Sequence, residues 1–323
     1  MRTSIVIIFL FIFCSASFAQ NNASTNKSMV IAKGKMPNMA IDKHQNVHIV
    51  FGTGDSIMYV SSVNAGKSFG KPSLIGVLPG LFASAMRGPQ IAATDNGLII
   101  TACTNKGNIY SYKQHGPTWT KAIKVNEVNE VAKEALMALS ADGLNVFAVW
   151  LAVKEPKGQN VYGAKSVDGG NTWSKNVLVY NSPDNTVCEC CKPSVAVKGN
   201  NVYVMFRNWL NGNRDLYLAK SGNGGTSFEN AQKLGVGNWK LNGCPMDGGG
   251  LAINNSATPQ TVWRREGKIY AATPGSPEKE IGEGRSCTMT IVNNKNIYTW
   301  TENGEVVLMN DGQKKIMGKG SLP

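Results

Sequence analysis

No apolar stretch in the sequence is long enough to cross a membrane. The longest, Ile5 to Phe13, falls far short of the roughly 20 residues that a spanning helix needs. Histidine is scarce, and His44, His48 and His115 fall on turns or inside a strand pattern, which argues against a His-based triad or a His-rich metal site. Arginine is scarce too, at seven residues, so the basic excess rests on scattered lysines. No basic block is interleaved with aromatics, and a nucleic-acid partner is therefore not expected. Helical periodicity is nearly absent, with Val128 to Leu139 as the one amphipathic candidate.

The first nineteen residues read as an export signal. Arg2 supplies the positive start, the apolar run follows, and Ser17-Phe18-Ala19 gives the small-x-small cleavage pattern. Phe13 is too bulky for the residue before a lipid-carrying Cys14, so a soluble periplasmic or secreted product is expected. Loss of the leader would leave 32 basic and 21 acidic residues, a balance that favours anionic partners. It would also leave six cysteines, and an even count in an oxidising compartment makes disulfides the default. The expected organisation is a leader over 1–19, an N-terminal segment over 20–33 and a single domain over 34–323.

That domain is repetitive. Ser166-Val167-Asp168-Gly169-Gly170-Asn171-Thr172-Trp173 fits Ser-x-Asp-x-Gly-x-Thr-Trp at every fixed place. Ser62 to Phe69 and Ser221 to Phe228 are looser copies with Asn for Asp, and Tyr112 to Trp119 keeps only Gly116, Thr118 and Trp119. The closing aromatics at 69, 119, 173 and 228 stand 50, 54 and 55 residues apart. Asp or Asn at the third place can bond the N–H groups of its own turn, while the aromatic plugs the turn onto a sheet. Between these turns recurs a pair of strands joined by Asp, Asn, Gly or Lys. It is found at Met39–Phe51, Ile91–Cys103, Leu136–Trp150, Val195–Phe206, Leu251–Trp263 and Met289–Trp300. Six such units predict an all-β, six-bladed β-propeller.

On these motifs, residues 34 to 320 resemble the Asp-box, or bacterial neuraminidase repeat, sialidase-like propellers. Within them the chain looks closest to an exported bacterial subgroup with a Cys-rich loop before the fourth blade and Cys-Pro-x-Asp-Gly before the fifth. The resemblance implies exo-α-sialidase-type hydrolysis, with three Arg on a substrate carboxylate, a Tyr nucleophile assisted by Glu, and an Asp acid. Met86-Arg87-Gly88-Pro89 is similar to the Arg-Ile-Pro segment of that family, but it opens the second blade; the first-blade counterpart is Lys35-Met36-Pro37. No Tyr-Glu pair can be placed.

In an antiparallel meander the start of each first strand and the end of each second strand share one face. All six arginines after the leader map there. Arg87, Arg207, Arg264, Arg265 and Arg285 are the candidate anion-binding set, and Arg214 lies in a nearby loop. A guanidinium fork suits carboxylate or sulfate, while pairing with local acids is the structural alternative. Trp150, Trp209, Trp263 and Trp300 share the face, as core or as sugar-stacking rings. Asp55, Asp247 and Glu302 are the weak catalytic candidates, with Glu189 a fourth acid. Cys188, Cys190, Cys191 and Cys244, with Met246, should gather where blades 4 and 5 meet, as disulfides or as a copper or zinc site. Cys103 and Cys287 look like buried strand residues.

The preferred expectation is an exported propeller binding an anionic carbohydrate or another small anionic ligand, with sialidase-type hydrolysis as the reaction to test. A metal or thiol-redox protein centred on the cysteines is the second reading, and a non-catalytic interaction propeller the third.

Overall fold

The structure, a computed structural model, describes residues 29–155 and 157–321. The expected leader lies outside the described residues. Among the described residues no helix is long and apolar enough to cross a membrane. Six antiparallel sheets follow one another along the chain. Five have four strands in sequence order, and the second carries its outer edge in two short pieces, Thr118–Trp119 and Ile123–Lys124. The chain is thus a six-bladed β-propeller with a sialidase-like fold. We number the blades 1 to 6. Their first strands are Lys35–Ile41, Gln90–Thr94, Met137–Asp142, Ser194–Lys198, Gly250–Ile253 and Arg285–Val292, and all six sheets contribute to the lining of one central channel. The expected amphipathic helix within 128–139 is absent. Val128 to Leu136 is irregular because Asn126, Asn108 and Gly107 take its backbone groups: Asn126 donates to Val128 O, Asn108 Oδ1 accepts Glu130 N–H and Gly107 O accepts Ala132 N–H.

The apolar core lies between blades. In the second strand of blade 3, Asn145–Val153, seven consecutive residues are buried, the pattern of a strand covered on both faces. One face joins Cys103, Ile109 and Ala132 from blade 2; the other joins Val195, Val204 and Phe206 from blade 4. Similar clusters join blades 1 and 2, 4 and 5, and 5 and 6. Among the described residues no such cluster joins blade 6 to blade 1, where Met39, Ile41 and Val292 are exposed. The last strand of blade 6, Gln313–Lys319, is exposed along its whole length.

Three eight-residue turns share one hydrogen-bond pattern. Asp168 Oδ1 accepts the Thr172 N–H at 3.0 Å, and Ser166 Oγ accepts the Gly170 N–H at 2.8 Å. Asn64 with Ser62, and Asn223 with Ser221, repeat both bonds. Burial alone would raise the Asp168 carboxyl, but the hydrogen bonds it accepts from Thr172 and Ser166 draw it down to about 2. The closing rings reach back one blade: Trp173 Nε1 donates to Ser111 Oγ, and Phe228 packs edge-on against Phe147. Asn96, on the first turn of blade 2, donates to Asp168 O. That turn lies at the end of its hairpin remote from the strand starts, so these devices sit on the face away from the cysteines and arginines.

Candidate functional site

Four of the five candidate arginines already have partners within the protein. Arg207 is 1% exposed and gives all three of its donor groups to backbone carbonyls, those of Asp247, Arg214 and Arg264 at 3.1, 2.6 and 3.1 Å. Arg87 forms a 2.6 Å ion pair with Glu134 and donates to the carbonyls of Glu134 and Ala85. Arg265 pairs with Glu278 at 2.7 Å and lies over Tyr270. Burial alone would raise the Glu278 carboxyl, but the Val236 and Gly237 N–H groups and this guanidinium hold it at about 2. Arg264 donates to Pro245 O over the Trp239 ring, with its Nε buried and unpartnered, and Arg285 is exposed. No arginine lines the channel cavity among its described residues.

The acids and aromatics also stay apart. Asp55 accepts the Gly80 N–H in the blade 1 to blade 2 connection, and Glu302 accepts Trp300 Nε1 beside Lys314. Glu189 is exposed next to Thr186. Only Asp247 reaches the channel. Trp150, Trp263 and Trp300 are core residues at 1%, 2% and 0% exposure, whereas Trp209 is half-buried and stacks on Arg214 at 4.4 Å.

What the first-strand starts do assemble is a channel cavity of about 300 Å³. Its polar lining includes Asn38, Gln90, Lys192, Ser194, Asp247 and Ser286. The backbone explains why residues 192 and 247 meet. A Cβ at Gly248 would fall 1.9 Å from Lys192 O, so only glycine lets the chain leading into blade 5 lie on the chain leading into blade 4. Ser194 Oγ then donates to Gly249 O at 3.0 Å. Lys192 is the cation of this cavity. Its Nζ donates to Gln90 Oε1 at 2.8 Å, and no carboxylate pairs with it among the described residues. Burial pushes its ammonium down to about 8. Asp247 is 2% exposed; Oδ2 accepts the Ser286 N–H while Oδ1 has no partner. Burial raises its carboxyl, offset in part by Arg207 and Arg264. Sequence reasoning passed over Lys192. Its available signal was position, two residues before the fourth first strand, where the chain turns toward the channel.

The cysteines gather as expected. Cys190 and Cys244 form a disulfide with Cα atoms 6.2 Å apart. Cys188 Sγ lies 3.3 Å from Cys191 Sγ and 3.7 Å from Cys190 Sγ. Arg214 Nη1 donates to Cys188 Sγ at 3.0 Å, and the Asp247 N–H meets Cys191 Sγ at 3.5 Å. The three sulfurs of 188, 190 and 191 are close enough to meet on one soft ion, but Cys190 offers a thiolate only when its disulfide is broken. Met246 is 40% exposed, whereas Cys188 and Cys191 are enclosed. Cys103 and Cys287 are free and buried, and Cys287 also lines the channel.

No family model matches the chain, and no curated protein matches it in sequence. Solved structures do resemble it in fold. A protein of unknown function from Dyadobacter fermentans is 14% identical with a TM-score of 0.54, over 88% of this chain and 93% of that one. A Hadza microbial sialidase is 10% identical, TM-score 0.55, over 88% and 65%. The leech intramolecular trans-sialidase, complexed with 2,7-anhydro-Neu5Ac, is 8% identical, TM-score 0.56, over 88% and 68%. The chain therefore spans about two thirds of each of these sialidases.

Proposed function

We propose that this propeller binds a small acidic sugar in its central channel and does not hydrolyse it. The observation that carries the reading is Lys192: a cation without an acid partner among the described residues, half-buried in a cavity to which all six blades contribute. A cavity of about 300 Å³ is at the small end of ligand sites, which run from roughly 300 to 1,000 Å³, and suits a monosaccharide. Lys192 would meet the carboxylate, while Asn38, Gln90, Ser194 and Ser286 would meet hydroxyls. Arg87, Arg207, Arg264 and Arg265 are engaged elsewhere and the exposed Arg285 does not line the cavity, so the anion contact moves to lysine. Hydrolysis of a glycosidic bond ordinarily needs two carboxyl groups; Asp247 is the one acid lining the cavity among the described residues, and no tyrosine lines it.

Calorimetric titration with N-acetylneuraminate, glucuronate, galacturonate and a neutral hexose tests the reading. At least one acid sugar should bind and the neutral one should not. Lys192→Met should weaken binding about tenfold or more, as loss of a charge-assisted contact costs about 1.5 to 3 kcal/mol. No binding of any acid sugar, or equal binding by Lys192→Met, would remove the site. Cleavage of a fluorogenic sialoside by the wild type, but not by Asp247→Asn, would restore hydrolysis.

A further inference from the structure

The four clustered cysteines differ in exposure in an ordered way. Cys244 is exposed and Cys190 half-buried, whereas Cys188 and Cys191 are 0% and 1% exposed. A surface disulfide therefore stands in front of a buried dithiol. Cys188 and Cys191 have the Cys-x-x-Cys spacing at which thiol pairs form and break disulfides readily, and their sulfurs are already 3.3 Å apart. From Cys188 the route to the surface disulfide is 3.7 Å, and from Cys191 it is 4.0 Å. All three separations are close to van der Waals contact, so exchange needs side-chain rotation and not loop opening.

We propose that this cluster is a two-electron relay, in which the buried Cys188/Cys191 dithiol exchanges oxidation state with the exposed Cys190–Cys244 disulfide. Cys188 thiolate attacks Cys190 Sγ; the 188–190 bond forms, the 190–244 bond breaks, and Cys244 leaves as a thiolate that takes a proton from solvent. Cys191 then gives up its proton and attacks Cys188 Sγ; the 188–191 bond forms, and Cys190 leaves and takes the proton that Cys191 released. Cys188 and Cys191 are oxidised by the two electrons that reduce Cys190 and Cys244, so no outside oxidant is required. A surface thiol or disulfide reagent would reach Cys244 and, through it, the buried pair.

The surroundings divide the two buried sulfurs by role. The hydrogen bond with Cys191, then the Arg214 and Arg207 charges, lower the Cys188 thiol against burial, which makes it the attacking group beside Cys190 Sγ at 3.7 Å. Burial and the neighbouring Cys188 hold Cys191 protonated, as suits the resolving group. Cys103 shows what burial does without such neighbours: its thiol is pushed up to about 12. Arg214 is itself fixed, donating to Leu241 O and stacked on Trp209. The inference is independent of any ligand at Lys192.

The test uses the intact mature protein, held without oxygen and with a chelator in a series of glutathione redox buffers. Samples are quenched in acid, free thiols alkylated, and the alkylated positions located by mass spectrometry. The relay requires two one-disulfide isomers, one alkylated at 188 and 191 and the other at 190 and 244, the second amounting to a tenth or more. Cys188→Ser should abolish the second isomer and leave the 190–244 bridge. The interconversion rate should rise with pH, and Arg214→Lys should move that rise to higher pH, a shift that a purely structural arginine would not cause. If Cys188→Ser does not fold, the wild-type isomer ratio and rate profile decide. Joint alkylation of 188 and 191 at every potential would overturn the proposal. So would about one equivalent of copper or zinc co-purifying with the cysteines protected as thiolates.

Discussion

The junction of blades 4 and 5 and the seam between blades 6 and 1 are built on opposite principles. At the first, the chains leading into the two blades touch through Gly248 on Lys192, are bonded through Ser194 and Gly249, and are bridged by Cys190–Cys244. Arg207 ties three separate carbonyls into the same knot. At the second, Met39, Ile41 and Val292 stay exposed and no buried apolar cluster joins the blades among the described residues. Each blade takes all its main strands from one stretch of chain, so among the described residues no exchanged strand interlocks the ring. Polar fixation is concentrated at the junction of blades 4 and 5, and the seam is left to weaker forces.

Substitutions can break or sharpen this contrast. The largest effect is expected from Arg207→Met, which would leave three buried carbonyls without a charged donor. Hydrogen bonds to charged groups are worth about 1.5–3 kcal/mol each and do not add fully, so a loss of about 4 kcal/mol or more is expected in denaturant unfolding. A loss under about 1 kcal/mol would show that the knot is not what holds the junction. Cys244→Ser should come next, at about 2 to 4 kcal/mol, because the bridge closes a separation of 54 residues. Unchanged stability there would mean that the Gly248 packing alone fixes the junction.

A smaller effect is expected from pH. Burial lowers Lys192 to about 8 from its ordinary 10.5, so between those values the folded chain holds fewer protons than the unfolded one. Lys192 should therefore add stability as pH goes from about 8 to about 10.5, while the buried Cys103, Cys191 and Cys287 thiols, pushed above their ordinary 9, act the other way. Lys113 is lowered in the same way, so the contribution of Lys192 is read as the difference between wild type and Lys192→Met over that range. Acid-sugar binding should run the other way and weaken above pH 8 as Lys192 loses its charge. A flat binding profile from pH 7 to 10 would remove lysine from the contact. The smallest change is expected at the seam, where Met39→Ser or Val292→Thr should alter stability by about 0.5 kcal/mol or less. A cost of several kcal/mol would reveal an apolar contact at the seam and erase the contrast.

The fold was legible because its instructions are local. Asp168, Thr172 and Ser166 close their turn within a few residues, and each strand pair carries its own turn chemistry, so repetition could be read along the chain. The meeting of the cysteines was legible as well, since consecutive blades pack side by side and both segments precede first strands. Which arginines are occupied was not legible, because a side chain's partner is set by packing. Arg87 finds Glu134 on the chain leading into blade 3 and Arg265 finds Glu278 within blade 5, while the carbonyls that occupy Arg207 have no signature in sequence at all. Lys192 was hidden among 26 lysines; its distinction is a desolvated position, and only packing creates that.

The last strand of blade 6 has a consequence for life in solution. Gln313–Lys319 is the outermost strand of its sheet and exposed at every residue, so its free backbone groups are a template on which another molecule's strand could align. Ile316 and Met317 would favour such growth. Lys314, Lys315 and Lys319 oppose it, because a second copy aligned on the same edge would bring like charges together at the spacing of neighbouring strands. The lysines of this strand thus act as a guard against edge-to-edge aggregation, a task for which their charge matters and their partners do not.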